Sequence, residues 1–457
     1  MFDKIRSFVR GVMRKMFPAK NIKEALDLDT CVSDEMLDRM NLWAAMYRGH
    51  APWCRDPVIS LRKERGICQE FANVVLNEME AKVSVESLDT IFKDAIRDLN
   101  ENLQSGLALG SFVIKPLGGN RVEYITADRF IPVEFDARGR LVNVVFVQVK
   151  KLADDDFYHR FEHHDFDAET GTLTITNTAF HSDSAESIGR RIDLKDVDEW
   201  RNLPESVTYA GLEKPDFGYY RNPIKNEIDG SFCGVSIFDG AIDQLRNVDV
   251  QGARLDWEFK SGERAINVDI AALTPRRDPI TGKIVHEMPE FDKKLYKGLN
   301  LTSDELYKEW SPEFRDANII NGLNAYLRQV EFNVCLSYGD LSDVSDVEKT
   351  ASEVRVAKKR KYNMVGAIQE NLKECLEDLV YGLAFYNSML RSGYEFLCAF
   401  HDSILVDEET ERQQDRQDVS MGAMTLVEYR AKWYGETEAE AAKNIVQETD
   451  DLDPEEE

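Results

Sequence analysis

The sequence is short of the residues from which most active sites are built. It has seven histidines in 457 residues, so general-base candidates are few. Its seven cysteines (Cys31, Cys54, Cys68, Cys233, Cys335, Cys375, Cys398) include no C-x-x-C pair. That spacing excludes a zinc ribbon and a disulfide framework, and it fits reduced thiols of cytosolic origin. No apolar run approaches the ~20 residues of a membrane span. The N-terminus lacks a signal-peptide pattern, because Arg6, Arg10, Arg14 and Lys15 interrupt its apolar residues. Positive charge is in deficit: 57 Lys and Arg face 84 Asp and Glu, a net charge of −27. Such a chain lacks the clustered cations that tight phosphate binding needs. There is no G-x-S-x-G elbow, no G-x-x-x-x-G-K-S/T loop and no H-E-x-x-H pair. What is present is apolar material, 43% of residues, enough for a sizeable core in about three domain-sized units.

The remaining candidates for chemistry are weak. His163 and His164 are adjacent in a strand pattern, so they point to opposite faces and do not converge on a metal. Asp154-Asp-Asp156 reads as a solvated turn. Glu287 and Glu290 could be imagined as a glycosidase pair, but pairs of acids arise by chance in so acidic a chain. Gly110-Ser-Phe and Gly118-Gly-Asn carry no lysine in phosphate-cradling position. No catalytic, metal or cofactor residue is assigned.

The fold class is α+β. Residues 1–20 hold six basic residues and one acid, with Ile5, Phe8, Val9, Val12 and Met16 at helical spacing. This basic amphipathic helix reads first as a helix packed on its own protein with a solvated basic face, and second as a nucleic-acid or membrane-surface arm. Helical stripes follow at Met36, Met40, Trp43, Met46 and Tyr47, at Phe71, Val74, Val75 and Met79, and at Leu88, Ile91, Phe92 and Ile96. From Gly106 to Thr176 six β-branched or alternating runs predict one antiparallel sheet. Residues 200–235 are rich in Pro and Gly and read as loop. Helices are predicted at 235–260 and 317–336, around a proline-rich insert of about 50 residues with strands at 265–270 and 283–286. After an acidic loop, Thr350-Ala-Ser-Glu353 has the pattern of a capping box opening a helix to about Leu390, with Gly366 a candidate kink. Residues 401–457 hold 18 acids and five bases, with a second capping box at Thr425–Glu428 and an acidic tail.

Several local patterns resemble the portal proteins of long-tailed double-stranded-DNA bacteriophages, the head-to-tail connector family. Trp43-Ala-Ala-Met-Tyr-Arg-Gly-His-Ala-Pro-Trp53 is similar to the family's early W-x-x-x-Y-x-G-x-x-P-W segment, and Ile67–Glu78 to its following helix. Gly106–Pro116 and Thr126–Pro132 resemble its sheet, Phe217–Pro223 and Cys233–Phe238 the approach to its first long helix. Lys349-Thr-Ala-Ser-Glu-Val354 is similar to its K-T-A-S/T-E-V pattern, and Glu428–Glu436 to its C-terminal helix pair. The likeness covers about residues 40–445 and is missing in the insert.

The resemblance implies a portal-like subunit with an α/β wing, a two-helix stem, a small clip and a helical crown. The wing would be 1–234, the stem helices 235–262 and 313–336, and the clip 263–312. The tunnel loop would be 337–350, the long helix returning to the wing 351–400, and the crown with its acidic tail 401–457. Such proteins are not enzymes. They form closed rings of about twelve copies at one capsid vertex. The ring is the channel through which double-stranded DNA is packaged and ejected, without sequence-specific binding. It docks the terminase motor, which supplies ATP hydrolysis, and later the head-completion adaptor. Contact with major capsid or scaffold protein is implied, contact with a membrane is not, and no cofactor is required. The protein would be assembled in the host cytoplasm and reside in the virion. On this basis Asp340, Asp343, Asp346 and Glu348 would form an acidic collar, with Lys349 its nearest cation; the same residues would also make an ordinary solvated connector. Pro275, Arg276, Arg277, Lys283 and Tyr296 would form the clip docking surface, or pack between subunits. Competing readings are another minor head protein of the virion, and an acidic intracellular α+β hydrolase using paired carboxylates. A DNA-binding regulator fails on charge and on the lack of a reading helix.

Overall fold

A computed structural model describes residues 19–153, 156–184, 187–263, 265–269, 274–287, 296–299, 307–343, 351–400, 408–434 and 438–445. The chain forms two compact units, one of residues 1–75 and 82–397, the other of 76–81 and 398–457. Helices and antiparallel sheets are both extensive, so the class is α+β.

In the first unit the helices are α1 (Ala19–Leu26), α2 (Asp34–Tyr47) and α3 (Lys63–Leu76), then, after strand β1 (Met79–Val83), α4 (Glu86–Ala95) and α5 (Leu99–Leu109). The predicted stripes are the buried faces: Met36, Met40, Trp43 and Met46 on α2, Phe71 and Val75 on α3, Leu88 and Phe92 on α4. Met79 is a correction, since it opens β1 rather than closing the helical stripe. Three ties run between the N-terminal helices and a later segment. Ser33 Oγ, which also caps α2, donates to Asp229 (2.9 Å); the Trp43 indole donates to Asp239 (2.8 Å) and the Trp53 indole to Asp249 (2.9 Å).

The strands divide differently from the single sheet that the alternation predicts. Strands β2 (Ser111–Pro116) and β3 (Val122–Thr126) join a later β10 (Gly218–Arg221) in the order β10-β2-β3. A separate sheet has the order β4 (Phe130–Phe135), β5 (Leu141–Ala153), β6 (Asp156–Asp167), β7 (Thr172–Ser182) and β8 (Arg190–Ile192), with β9 (Ser206–Ala210) also on β7. A 3₁₀ turn at Ala127–Arg129 separates the two sheets in sequence. Strands β9 and β10 lie in the stretch read as loop. Both are short, and a strand of four or five residues between prolines carries little periodic signal. Strand β2 is buried along its whole length, whereas β6 buries one face at His159 and Phe161 and the opposite face at His164 and Phe166.

Helix α6 (Ile242–Ser261) starts later than predicted. Residues 235–238 are irregular, ending in a turn that leads into a 3₁₀ turn at Asp239–Ala241, and they pack on α5: Ile237 N donates to Leu107 O (3.0 Å), and Val235, Ile237 and Phe238 are buried. The insert holds β11 (Ala265–Asp269), β12 (Thr274–Arg277), β13 (Ile284–Glu287), β14 (Tyr296–Leu299) and β15 (Tyr307–Trp310). Strand β11 pairs parallel with β14 and antiparallel with β15, while β12 and β13 form a hairpin. Helix α7 (Asp316–Asn333) returns antiparallel along α6. Asn333 Nδ2 donates to Gly240 O at one end (2.9 Å), and Arg315 holds the buried Glu258 at the other (2.8 Å).

Helix α8 (Ala351–Tyr386) is continuous for 36 residues, about 54 Å, with no break at Gly366. It is pressed on the small sheet. A Cβ on Gly218 of β10 would lie 2.3 Å from Cys375 O, and one on Gly382 would lie 2.3 Å from Asp216 O. After β16 (Phe396–Phe400), paired with β1, the second unit contains α9 (Glu408–Ser420), α10 (Leu426–Tyr434) and α11 (Glu438–Asn444). Here the Thr425–Glu428 capping box forms as read, and Asp415 on α9 accepts from the Trp433 indole (2.8 Å). The Thr350–Glu353 box begins outside the described residues, as do the basic N-terminal helix and the acidic tail.

Candidate functional site

The loop that follows α7 is the most organised irregular segment near the residues singled out from sequence. Its organiser is Glu331, fully buried near the end of α7. Its Oε1 accepts the backbone N–H groups of Gly339 (3.0 Å), Leu341 (2.6 Å) and Ser342 (2.8 Å), and its Oε2 accepts the Ser342 hydroxyl (2.9 Å). Four donors replace the water that the carboxylate gives up on burial. The reversal of the chain uses left-handed backbone at Cys335 (φ 63°) and Gly339 (φ 101°), and buried Val334 and Leu336 seat it.

This anchoring places two of the predicted acids. Asp340 and Asp343 are both exposed residues on the pinned loop. Asp340 Oδ2 accepts from Ser337 N (3.0 Å) and from the Lys361 ammonium on α8 (3.0 Å). Lys361 also reaches Glu70 on α3 (2.6 Å), so it bridges two carboxylates. Burial works to lower the Lys361 pKa, but the two carboxylates outweigh it and the value is raised. The cation on Asp340 is therefore Lys361, which the sequence reading did not single out; the only cue was its place in a Lys359-Arg-Lys361 run. Asp343 accepts from Asn324 Nδ2 (2.9 Å). Asp346, Glu348 and Lys349 lie outside the described residues.

Beside the loop is a groove of about 480 Å³, lined by Gln244, Arg328, Phe332, Tyr338 and Asp343 among others. The Arg360 guanidinium lies 4.6 Å from the Phe332 ring centre and 5.0 Å from that of Tyr338, tying loop, α7 and α8 together.

The insert residues are distributed over three elements. Pro275, Arg276 and Arg277 lie in β12, Lys283 at the start of the chain's return into β13, and Tyr296 opens β14. Arg277 and Lys283 are exposed. Asp278 builds the hairpin turn, accepting from Ile280 N (2.7 Å) and Thr281 N (3.1 Å), and Ile280 stands 92% exposed at its tip. The side chains of Pro275, Arg276 and Tyr296 lie outside the described residues. The tunnel-loop and insert candidates flank α7 in the chain, the insert before Asp316 and the loop after Asn333.

The histidine pair behaves as strand alternation requires. His163 faces Asn143 (2.6 Å), and His164 is buried on the other face. His164 Nδ1 meets Asp216 (2.9 Å) and Nε2 meets Glu162 (3.0 Å). Tyr386 at the end of α8 donates to Asp216 (2.6 Å), Lys115 to Glu162 (2.8 Å), and Arg160 also pairs with Glu162 (2.9 Å). Burial alone would lower the His164 pKa, but Asp216 and Glu162 outweigh it and push it up to about 9. At neutral pH the ring is an imidazolium with both N–H groups committed. It has no lone pair with which to accept a proton, so it ties two sheets and α8 together rather than acting as a base. Asp156 pairs with His181 (2.6 Å), while Asp154, Asp155 and Glu290 lie outside the described residues. Among the described residues no three His, Cys, Asp or Glu side chains are grouped to hold a metal ion, and no helix is long and apolar enough to cross a membrane.

No protein-family model matches the chain, and no curated protein matches it.

Proposed function

We propose that the chain is a portal-like subunit: a non-enzymatic ring protein that conducts double-stranded DNA through one capsid vertex and docks the packaging motor and a head-completion adaptor. One observation carries the reading. An antiparallel helix pair, α6 and α7, is interrupted by a compact stranded insert and followed by a pinned acidic loop and a helix of 36 residues. In this reading the helix pair is the stem, the insert the clip and the loop a tunnel-facing element; residues 1–234 and α8 are wing, and 401–457 crown.

The electrostatics fit a conduit. Each phosphate contact releases counterions and adds affinity, so a channel lined with cations would hold DNA in place. A chain of net −27 repeated around a ring repels the duplex from the wall. The Glu331 anchor holds Asp340 and Asp343 on the loop surface, and Lys361 and Asn324 partly engage them. Arg277, Lys283 and the exposed Ile280 on the insert hairpin suit docking to an acidic partner with an apolar patch.

The test is native mass spectrometry with class-averaged electron images of the purified protein. A closed ring of about a dozen copies with a central hole is the expected outcome. A monomer or dimer at micromolar concentration, with or without double-stranded DNA, would overturn the reading. Given rings, replacing Asp340, Asp343 and Asp346 by Ala is expected to alter DNA packaging or ejection, and no change in either would remove the collar.

A further inference from the structure

Glu64, in the first turn of α3, is 2% exposed, and its Oε2 has no hydrogen-bond partner. A buried carboxylate oxygen without a donor strongly disfavours the ionised form. Its surroundings make this worse. Asp249 on α6 is also 2% exposed and is the anchor for the connection between α2 and α3. It accepts from the Trp53 indole (2.9 Å), from Leu61 N (2.7 Å) and from Cys54 Sγ (3.7 Å). Those donors serve Asp249; none of them serves Glu64 Oε2.

We propose that Glu64 is a proton-operated latch: residues 53–61 stay docked on α6 while the Glu64 carboxyl is protonated, and loosen when it ionises. The groups that face it agree. From α6 comes the negative Asp249. The connection contributes the Cys54 thiol and Arg62, and α3 itself contributes the Cys68 thiol, which is linked in turn to Tyr47 of α2. Apart from the backbone N–H of Glu64 itself, which burial outweighs, only Arg62 among these favours the carboxylate. It is an exposed residue held in left-handed backbone (φ 54°), at the hinge between the docked segment and α3. Burial first, then Asp249, raise the Glu64 pKa to about 7.

A carboxyl whose pKa is higher in the docked state than in the open one favours docking at low pH. That preference is lost as pH rises through about 7. From an ordinary value near 4.5, docking should weaken about tenfold between about pH 6 and about pH 8.5.

The experiment is hydrogen exchange of the full-length protein read by mass spectrometry at several pH values, corrected for the intrinsic exchange rate. Protection of residues 53–61 is compared with that of β5 and β6. In the parent chain the ratio is expected to fall about tenfold over that range. Glu64→Gln should hold it high and independent of pH, and Glu64→Leu, which cannot ionise either, is the substitute if the first variant does not fold. Asp249→Asn should lower protection at every pH. A flat ratio in the parent chain, or a Glu64 variant that keeps the parent slope, would overturn the latch.

Discussion

Two buried glutamates in this chain have opposite surroundings. Glu331, at the end of α7, is fully buried and receives four donors from the loop it organises. Glu64, at the start of α3, is buried almost as deeply and has one oxygen with no donor. Burial is the same; the donor count is not. A carboxylate that replaces every lost water contact becomes a fixed tie, and one that does not becomes a site where pH changes the structure. The difference follows from backbone. The turn at 337–342 aims three N–H groups at Glu331, while the N–H and indole donors of 53–61 are aimed past Glu64 at Asp249.

The strongest way to break the comparison is to remove the satisfied member. Glu331→Ala leaves the N–H groups of Gly339, Leu341 and Ser342 without their acceptor and should cost about 3–5 kcal/mol. The denaturant midpoint should fall, and hydrogen exchange should rise specifically over 337–343. A midpoint within error of the parent would mean that the loop is held by Val334, Leu336 and Arg360 instead.

His164 sharpens the contrast, because there a buried charge is balanced by opposite charge rather than by backbone donors. Its pKa of about 9 lies above the ordinary 6.5. The stabilisation from its charged form is therefore complete below about 6.5 and is lost as pH rises through about 9, roughly 3 kcal/mol in total. Unfolding free energy measured between about pH 6 and pH 10 should fall by that order in the parent. In His164→Gln it should be low from the start and nearly flat above about pH 7, since Glu162 and Asp216 lose their shared partner. Glu64→Gln should leave this alkaline limb intact and remove only the slope below about pH 7, so the two variants separate the two buried sites.

Which of these features was legible in the sequence depends on how far apart the partners lie. The stripes of α2, α3 and α4 were legible because Met36-Met40-Trp43 and Leu88-Phe92 repeat within one helix. Alternation along β6 was enough to separate His163 from His164, but not to find Asp216, 52 residues on. Glu331 is one acid among 84, and nothing local marks it as the organiser of the loop. Strand β10 was missed because its burial comes from β2 and α8 and not from a pattern of its own. The division of the strands into two sheets was missed for a related reason: alternation specifies that a run is a strand, and only pairing specifies which sheet it joins.

Helix α8 offers the smallest effects and a sign change to test. Gly382 faces the Asp216 carbonyl, and a Cβ there would lie 2.3 Å from its oxygen, so Gly382→Ala should push α8 off the small sheet at a cost of about 2 kcal/mol. Gly366 has nothing within 4 Å of an added Cβ, and its helix is unbroken. Gly366→Ala should therefore stabilise by about 0.5–1 kcal/mol through helix propensity alone. If it destabilises instead, the glycine is needed for a bend or for contact with another copy of the chain, and the sequence expectation of a kink at this position regains its force. Thermal unfolding of the two single variants and their double variant decides the matter, since sites four turns apart on one helix should add unless α8 moves as a whole.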